Sequence, residues 1–308
     1  MKHYFLGILA VSLLVNAFFA FQTLRAPADK SQQFPYLSKR IFAENQNDIL
    51  INFIPLRTAL HEYVNKQDDE IGVYFEYLPS GISIAANDKL EGKLASLIKI
   101  PLVMGVYKQI ENGKLKKEDI LTVKKENLDK RFGALWQKGE GHKLTTEEAV
   151  HLTLVDSDNT ASSVLLSAIP NTLLDHIFDS LDVPKDKEGK FHIISPKSYS
   201  SILRSLYLSS YLSETSSNQI LTILTQTKFN DKIPAGIPRE TKIAHKIGVF
   251  STKDDPRETY SDCGIVYVPN RPYILCIMVK SSEDKAREYM QLLSKMVYGY
   301  VIKAGGGQ

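Results

Sequence analysis

The sequence predicts a mixed α/β fold of the α+β type, in which an all-helical lobe is inserted into one five-stranded antiparallel sheet. Strand-like segments lie near both ends of the chain, and the middle shows the apolar spacing of helices. The 308 residues, of which 43% are hydrophobic, are enough for one large core. We expect terminal helices to cover the sheet, and a cleft to form where lobe and sheet meet.

The first elements of the domain are a helix and a hairpin. Residues 48–66 carry apolar side chains at helical spacing. Residues 72–78 and 81–86 are short runs that are typical of strands, and Pro79-Ser80-Gly81 between them is typical of a turn. These two strands are expected to pair with each other.

The middle of the chain is predicted to be helical. Residues 96–112 form the first long helix, where Pro101 is acceptable only in the first turn and Gly113 is a suitable stop. The next helix starts near Thr145, a capping residue followed by acidic side chains, and runs to about residue 155. Three further helices are predicted over 160–168, 171–181 and 196–208.

The C-terminal part returns to strands and closes with a helix. Residues 241–250, 262–268 and 273–280 are strand-like, and residues 283–303 show helical spacing. Together with the hairpin they complete a five-stranded sheet, whose second and third strands are separated by the helical lobe.

The N-terminal segment predicts export. Lys2 and His3 precede an apolar run of 18 residues that ends at Phe21. This run is either a cleaved signal peptide or an uncleaved anchor, and the anchor is favoured because Phe18-Phe19-Ala20 lacks the small residues of a cleavage site. The folded part would then be held on the outer face of the cytoplasmic membrane, or be periplasmic or secreted. The expected organisation is 1–21 signal or anchor, 22–47 linker, 48–303 domain and 304–308 flexible tail.

Charge and cysteine content exclude several classes of function. The net charge is +3, and no basic stripe indicates nucleic acid. Cys263 and Cys276 are the only cysteines, too few for a metal site, and no cofactor is expected. An exported chain could join them. However, a tight turn that pairs Val268 with Tyr273 would set Cys263 opposite Met278, so we interpret both as buried free thiols.

Three short motifs point to nucleophilic chemistry. Ser96 and Lys99 are three residues apart, which on a helix places the amine beside the hydroxyl. A desolvated lysine can take the proton of such a serine and activate it. Each motif is common alone, but Ser157-Asp158-Asn159 and Lys246-Ile247-Gly248 follow in this order, at junctions of lobe and sheet.

These motifs resemble the class A β-lactamase branch of the penicillin-recognising serine hydrolases. The resemblance covers about residues 48–303 and includes Ile233–Pro238 and Asp262–Tyr267 as well as the three motifs. It implies the β-lactamase/transpeptidase-like fold. It also implies an acyl-enzyme formed with β-lactams or peptidoglycan-type amides.

The resemblance also implies a role for each motif residue. Ser96 is the acylated nucleophile and Lys99 its base, directly or through a water molecule. Ser157 passes a proton to the leaving nitrogen, and Lys246 supplies positive potential. The substrate-binding residues are Asn159, Gly248 and Val249, of which Asn159 hydrogen-bonds the side-chain amide of the substrate. The backbone N–H groups of Ser96 and Val249 form the oxyanion hole.

Two departures from the family pattern bear on activity. The path from Ser157 to Pro196 is roughly a dozen residues shorter than in the β-lactamases and lacks their glutamate pattern. Glu188 is the only glutamate there, and its dense charged surroundings are typical of a solvated loop. Ile247 replaces a hydroxyl residue that helps to hold the substrate carboxylate. Arg257 or Lys253 could compensate, although both are typical of exposed loop charges.

Four other residues are candidates for the site or its support. Trp136 or Phe132 is expected at the cleft edge or, alternatively, in the core. His245 should point away from Lys246, because successive strand residues face opposite sides of a sheet. Asp262 is expected to brace the end of the sheet.

Three functional hypotheses remain open. A β-lactamase needs fast deacylation, which the shortened loop puts in question, whereas a D,D-peptidase or penicillin-binding protein does not need that glutamate. A non-catalytic module that binds cell-wall peptide is the third. The expected partners are a β-lactam or a peptidoglycan stem peptide and, through the N-terminal segment, the membrane. We expect a monomer and no nucleic acid.

Overall fold

A computed structural model describes residues 34–38, 51–185, 193–251 and 257–304. The predicted signal or anchor segment, Lys253 and Glu188 lie outside these residues. None of the helices in the described ranges has both the length and the apolar character needed to cross a membrane.

The core of the molecule is the five-stranded antiparallel sheet that the sequence predicts. Its strands are β1 Glu70–Tyr77, β2 Ile82–Ala86, β7 Ile243–Phe250, β8 Glu258–Val266 and β9 Tyr273–Ser281. They lie in the order β2-β1-β9-β8-β7. Two short antiparallel pairs lie outside it, formed by β3 Gly92–Lys93 with β6 Ile193–Ile194, and by β4 Ile120–Thr122 with β5 Lys143–Thr145.

Helices cover both faces of the sheet. One face packs against α1 Ile54–Asn65 and α8 Glu283–Lys303 in a core rich in aromatic side chains, such as Phe53, Phe75 and Tyr77. The other face packs against α6 Pro196–Leu208. The remaining helices are α2 Lys99–Glu111, α3 Thr146–Val155, α4 Asn159–Ser167, α5 Leu173–Ser180 and α7 Glu214–Leu224. They form the inserted lobe between β2 and β7, as predicted, although α7 was not foreseen.

The hairpin of β8 and β9 corrects the prediction for the cysteines. The strands end at Val266 and begin again at Tyr273, which pair with each other, so the connecting loop is longer than the tight turn assumed from the sequence. This register sets Cys263 opposite Cys276, and the two form a buried disulfide. The expectation of two free thiols is therefore wrong, because the register is shifted by two residues.

Part of the predicted linker packs on the domain. The ring of Tyr36 lies 5.0 Å from that of Tyr267, whose hydroxyl donates to the Tyr36 carbonyl at 3.1 Å. The Ser38 N–H donates to the Tyr207 carbonyl at 2.9 Å, and the Tyr36 N–H donates to Asn218 Oδ1 at 3.3 Å. Segment 36–38 thus joins the ends of α6 and β8.

Candidate active site

Ser96 lies on a single 3-10 turn, Ala95–Ile98, rather than on the α-helix that the sequence predicted. Pro101 has no N–H to donate to the carbonyl of Leu97, so α2 begins only at Lys99. The freed carbonyl accepts from the buried hydroxyl of Tyr199 on α6 at 2.9 Å. Ala95 takes a positive φ of 45° just before the serine. The turn that carries Ser96 therefore has a left-handed residue before it and a hydrogen bond from α6 after it.

Lys99 is at the centre of the predicted site. Its Nζ lies 3.2 Å from Ser96 Oγ, 3.1 Å from Ser157 Oγ and 2.7 Å from Asn159 Oδ1. It also donates to the Ser157 carbonyl at 2.5 Å. Burial lowers the pKa of Lys99 to about 8, although the negative charges of Asp158 and Asp129 act to raise it. An amine with such a pKa is neutral in about one molecule in ten at pH 7 and can accept a proton.

Ser157, Asp158 and Asn159 form the start of α4. Asp158 caps the helix, with Oδ1 accepting from the Ala161 N–H at 2.8 Å. Its second oxygen accepts from the N–H groups of Ala134 and Leu135, at 2.7 and 2.8 Å. Asp158 therefore joins α4 to the loop before it, and this leaves Ser157 and Asn159 to face Lys99.

Lys246 lies on the other side of Ser157. Its Nζ donates to Ser157 Oγ at 2.8 Å and to the carbonyl of Ile247 at 3.2 Å. Burial, and then repulsion by Lys99, hold the pKa of Lys246 well below its usual value, while Asp262 partly offsets them. Ser157 Oγ thus lies between two buried amines that can exchange a proton through it.

The edge strand β7 passes close to the Ser96 turn at Gly248. A Cβ on Gly248 would lie 3.2 Å from Leu97 Cγ and 3.5 Å from the Leu94 carbonyl oxygen, so the glycine permits this approach. The next residue, Val249, is 42% exposed at the open edge. The predicted oxyanion hole needs strand and turn to be this close.

Two aromatic rings lie beside Lys246. Phe132 is 41% exposed, and its ring centroid lies 5.6 Å from that of Phe229. Phe229 in turn lies 5.7 Å from Lys246 Nζ. Of the two aromatic candidates, Phe132 lies next to Phe229, whereas Trp136 is half-buried beside Lys130. No motif marks Phe229, which follows α7.

A second pair near the site also went unrecognised in the sequence. Asp129 bonds Arg131 and accepts from the side chain of Asn159, and these bonds lower the pKa of Asp129 to about 2. Asn159 is therefore held between Lys99 and Asp129. The spacing of Asp129 and Arg131 matches no catalytic pattern, and only the fold brings them to Asn159.

The remaining candidates lie away from the cluster around Lys99. Ile247 is 6% exposed and alternates with Lys246 along β7, so its side chain faces the α8 side. Arg257 pairs with Glu70 at 3.3 Å. His245 bonds Asp262 behind Lys246, as its strand position predicts. The described residues contain no group of three or more side chains suited to a metal ion.

Comparison with known proteins assigns the family. Residues 55–301 match the family described as "Beta-lactamase enzyme family". The chain belongs to this family. The match spans the sheet and the lobe, and it agrees with the resemblance seen in the motifs.

Individual relatives are distant but cover nearly the whole domain. The extended-spectrum β-lactamase PER-1 of Pseudomonas aeruginosa is 22% identical over 80% of this chain and 90% of its own length. A β-lactamase of Phocaeicola vulgatus is 20% identical, over 88% of this chain and 91% of its own.

Solved structures confirm the predicted fold. PBP-A superposes with a TM-score of 0.73 at 24% identity, covering 81% of this chain and 97% of PBP-A. The TLA-1 extended-spectrum β-lactamase superposes with a TM-score of 0.72 at 20% identity, covering 80% and 98%. A mutant of PBP-A, solved as its acyl-enzyme complex with penicillin G, has a TM-score of 0.72 at 25% identity, covering 81% and 97%.

Gly133 provides a test of the Asp158 contacts. Gly133 has φ +88°, and a Cβ there would fall within 2.1 Å of Asp158 Oδ2. We expect Gly133→Ala to break the bonds from Asp158 to the preceding loop and to lower the free energy of unfolding by about 3 kcal/mol or more. Chemical denaturation measures this free energy of unfolding. Gly139→Ala is the control, because Gly139 has φ +79° but open space around it, and only about 1 kcal/mol is expected. Equal losses in the two variants would contradict the expectation.

Proposed function

We propose that this chain is a serine hydrolase that is acylated on Ser96 by β-lactams and releases the acyl group slowly. The observation that carries the proposal is the cluster in which Lys99 Nζ reaches both Ser96 Oγ and Ser157 Oγ, while Lys246 Nζ reaches the same Ser157 Oγ. Acyl transfer to serine needs a nucleophile, a base beside it and a proton donor for the leaving nitrogen, and Ser96, Lys99 and Ser157 supply them in that order.

In the proposed reaction Ser96 Oγ attacks the lactam carbonyl as its proton passes to the neutral amine of Lys99. The oxyanion is stabilised by the backbone N–H groups of Ser96 and Val249. When the carbon–nitrogen bond breaks, the nitrogen takes the Ser157 hydroxyl proton, which Lys246 or Lys99 replaces. The product is an ester on Ser96, which water then hydrolyses. The positive charge of Lys246 would attract the substrate carboxylate.

Slow release is inferred from the surroundings of the nucleophile. None of the hydrogen bonds of Ser96 or Lys99 to other described residues ends on a carboxylate. Among the described residues, a water molecule that attacks the ester would therefore find no hydrogen-bonded carboxylate base of the kind used for deacylation in β-lactamases. The same observation favours a second candidate, a D,D-peptidase or penicillin-binding protein acting on stem peptides, and PBP-A is among the similar folds.

Time-resolved mass spectrometry with benzylpenicillin tests the proposal. We expect a stoichiometric adduct on the wild type that persists for minutes, and none on Ser96→Ala. Ser210→Ala, on an exposed hydroxyl outside the site, should keep the adduct. An adduct on Ser96→Ala would refute the nucleophile. Rapid steady hydrolysis of nitrocefin would favour a β-lactamase. Release of D-alanine from a stem peptide would favour a peptidase. The absence of an adduct with any penicillin would favour a binding module.

The rate of acylation should depend on pH in a defined direction. The neutral form of Lys99 is the base, and the pKa of Lys99 is lowered to about 8. Below pH 7 the neutral fraction therefore rises about tenfold with each unit of increasing pH, and above pH 8 it levels off. We therefore expect the second-order rate of labelling by a fluorescent penicillin to rise from pH 5.5 to about 8. A rate that is flat over this range would contradict the assignment of Lys99.

We also propose export, with the domain on the outer face of the cytoplasmic membrane. The predicted N-terminal anchor and the Cys263–Cys276 disulfide support it, because disulfides persist in oxidising compartments. Cell fractionation with and without deletion of residues 1–21 tests the proposal. A wild-type protein found only in the cytosol would overturn it.

A further inference from the structure

The N-terminal segment joins the domain at one end of the five-stranded sheet. At this end β1 finishes with Tyr77, which pairs with Tyr273 at the start of β9. The loop that leads into β9 carries Tyr267, and the ring of Tyr36 packs on it. We call the end of the domain that these four tyrosines mark the tether end.

The first turn of α1 and the last turn of α8 adjoin the tether end. Arg271, in the loop between β8 and β9, donates to the carbonyls of Val301 and Ile302 at 3.1 and 3.5 Å. The hydroxyl of Tyr300 donates to the carbonyl of Asn52, just before α1. Both terminal helices therefore present an end here rather than a side.

Three large aliphatic side chains are exposed on the helices that reach the tether end. Ile54, the first residue of α1, is 68% exposed, and Ile302 in the last turn of α8 is 43% exposed. Leu208, the last residue of α6, is 41% exposed and follows Tyr207, whose carbonyl accepts from the Ser38 N–H. Exposed aliphatic side chains that gather at one end of a domain mark a contact surface.

Tyrosines and cations accompany these aliphatic side chains. Tyr298 and Tyr300 are half-buried near the end of α8. The carbonyl of Lys242 accepts from the Tyr267 N–H at 2.9 Å, which places the segment before β7 at the tether end. The exposed charges of residues 239–242 and of the last turn of α8 are three cations and one carboxylate: Arg239, Lys242, Lys303 and Glu240. Aliphatic, tyrosine and basic side chains together are typical of surfaces that bind an anionic bilayer.

The length of the chain before Phe34 fits a membrane at this end. The predicted anchor ends at Phe21, so only residues 22–33 separate it from the first described residue. An extended chain of that length spans at most about 40 Å. The chain enters the domain at Tyr36, so the tether end is the part of the domain that an anchor would hold nearest to the bilayer.

We propose that the tether end is a docking surface for an anionic lipid bilayer. The three aliphatic side chains enter the boundary between headgroups and acyl chains, the tyrosines lie at headgroup level, and the three cations meet lipid phosphates. This inference rests on the proposed export and anchoring of the chain.

Docking in this way would set the height of the candidate active site above the membrane. β7 starts at the tether end with Ile243 and reaches Gly248, beside the Ser96 turn, five residues later. At about 3.3 Å per residue, Gly248 lies about 17 Å further along the strand. The nucleophile would therefore face substrates outside the bilayer rather than at its surface.

Lipid quenching of a fluorescent label on the full chain in vesicles tests the proposal. An environment-sensitive maleimide dye is attached to Ile54→Cys or to Ile302→Cys, since the native cysteines are buried in a disulfide. Asp284→Cys is the matched control, on the same helix as Ile302 but at its other end, with a side chain that is 92% exposed. In vesicles with phosphatidylglycerol and a nitroxide lipid, we expect the fluorescence at 54 and 302 to fall at least about twofold, and that at 284 to stay unchanged.

Removal of the cations gives a second test. In the triple variant Arg239→Gln, Lys242→Gln, Lys303→Gln we expect quenching of the label at 302 to fall by at least about half. A control triple variant removes the same net charge from exposed lysines of the lobe: Lys130→Gln, Lys138→Gln, Lys143→Gln. It should keep the quenching of the parent. Equal losses in the two triple variants would overturn the assignment of the tether end.

Flotation with the vesicles separates this inference from the proposed anchor. A full chain that does not float refutes the anchor, and this inference fails with it. A chain that floats while the labels at 54 and 302 stay unquenched overturns this inference alone. Quenching that is as strong in pure phosphatidylcholine would overturn the anionic bilayer as the partner. Shielding of the labels that grows with the protein-to-lipid ratio would indicate a second copy of the chain instead, and would also overturn the proposal.

Discussion

Replacement of Lys99 by methionine is expected to lower the rate of acylation by benzylpenicillin at least about 10³-fold, because a general base contributes up to about 10⁴-fold. Methionine keeps most of the buried volume but removes the group that bonds Ser96 Oγ, Ser157 Oγ and Asn159 Oδ1. Mass spectrometry under pseudo-first-order conditions measures the loss. The free energy of unfolding, measured in parallel, shows whether the fold is intact.

Two further variants separate the base from its charge. Lys99→Arg restores a positive charge, but a guanidinium group does not lose its proton near neutral pH, so the same loss of rate is expected. Lys114→Met, on an exposed lysine after α2, should acylate like the wild type. If Lys99→Arg kept more than a tenth of the wild-type rate, Lys99 would act through its charge rather than as a base.

Loss of the Cys263–Cys276 disulfide is expected to cost about 3 kcal/mol of stability, since the bond closes a short loop with a sequence separation of 13. For a domain of this size that corresponds to a fall in Tm of about 6–12 °C. The measurement is thermal unfolding of the double variant Cys263→Ala, Cys276→Ala. The effect extends to the site, because Cys263 lies directly opposite Lys246 in the register of β7 and β8.

Reduction of the wild type provides the control for this prediction. Unfolding in the presence of a reductant should show the same fall in Tm as the double variant, and the reductant should have no effect on the double variant itself. If the oxidised wild type and the variant melted at the same temperature, the cross-link would contribute nothing to stability.

The sheet and the cluster around Lys99 were predictable because their signals are local. Short apolar runs bounded by turn residues mark the strands, and the three motifs mark the turn, the helix start and the strand that meet around Lys99. The family match over residues 55–301 and the superposed structures confirm the fold. The roles of Ser96, Lys99, Ser157 and Lys246 are still predictions, which the experiments above test.

Other features depend on tertiary contacts that no local pattern encodes. The length of the β8–β9 loop decides whether Cys263 faces Met278 or Cys276, and the turn residues allow both. Phe229 and Asp129 carry no motif, and each reaches the site from a loop only because the lobe folds back on the sheet. The α-helical prediction at Ser96 failed because Pro101 delays the start of α2 and a distant tyrosine takes the freed carbonyl.

The docking of segment 36–38 has a practical consequence for recombinant fragments. A fragment that starts at residue 48, where the family resemblance begins, would remove the ring that packs on Tyr267 and the backbone partners of Tyr207 and Asn218. It would expose a tyrosine-rich patch to solvent and invite self-association. Fragments intended for crystallisation or calorimetry should therefore begin upstream of Tyr36.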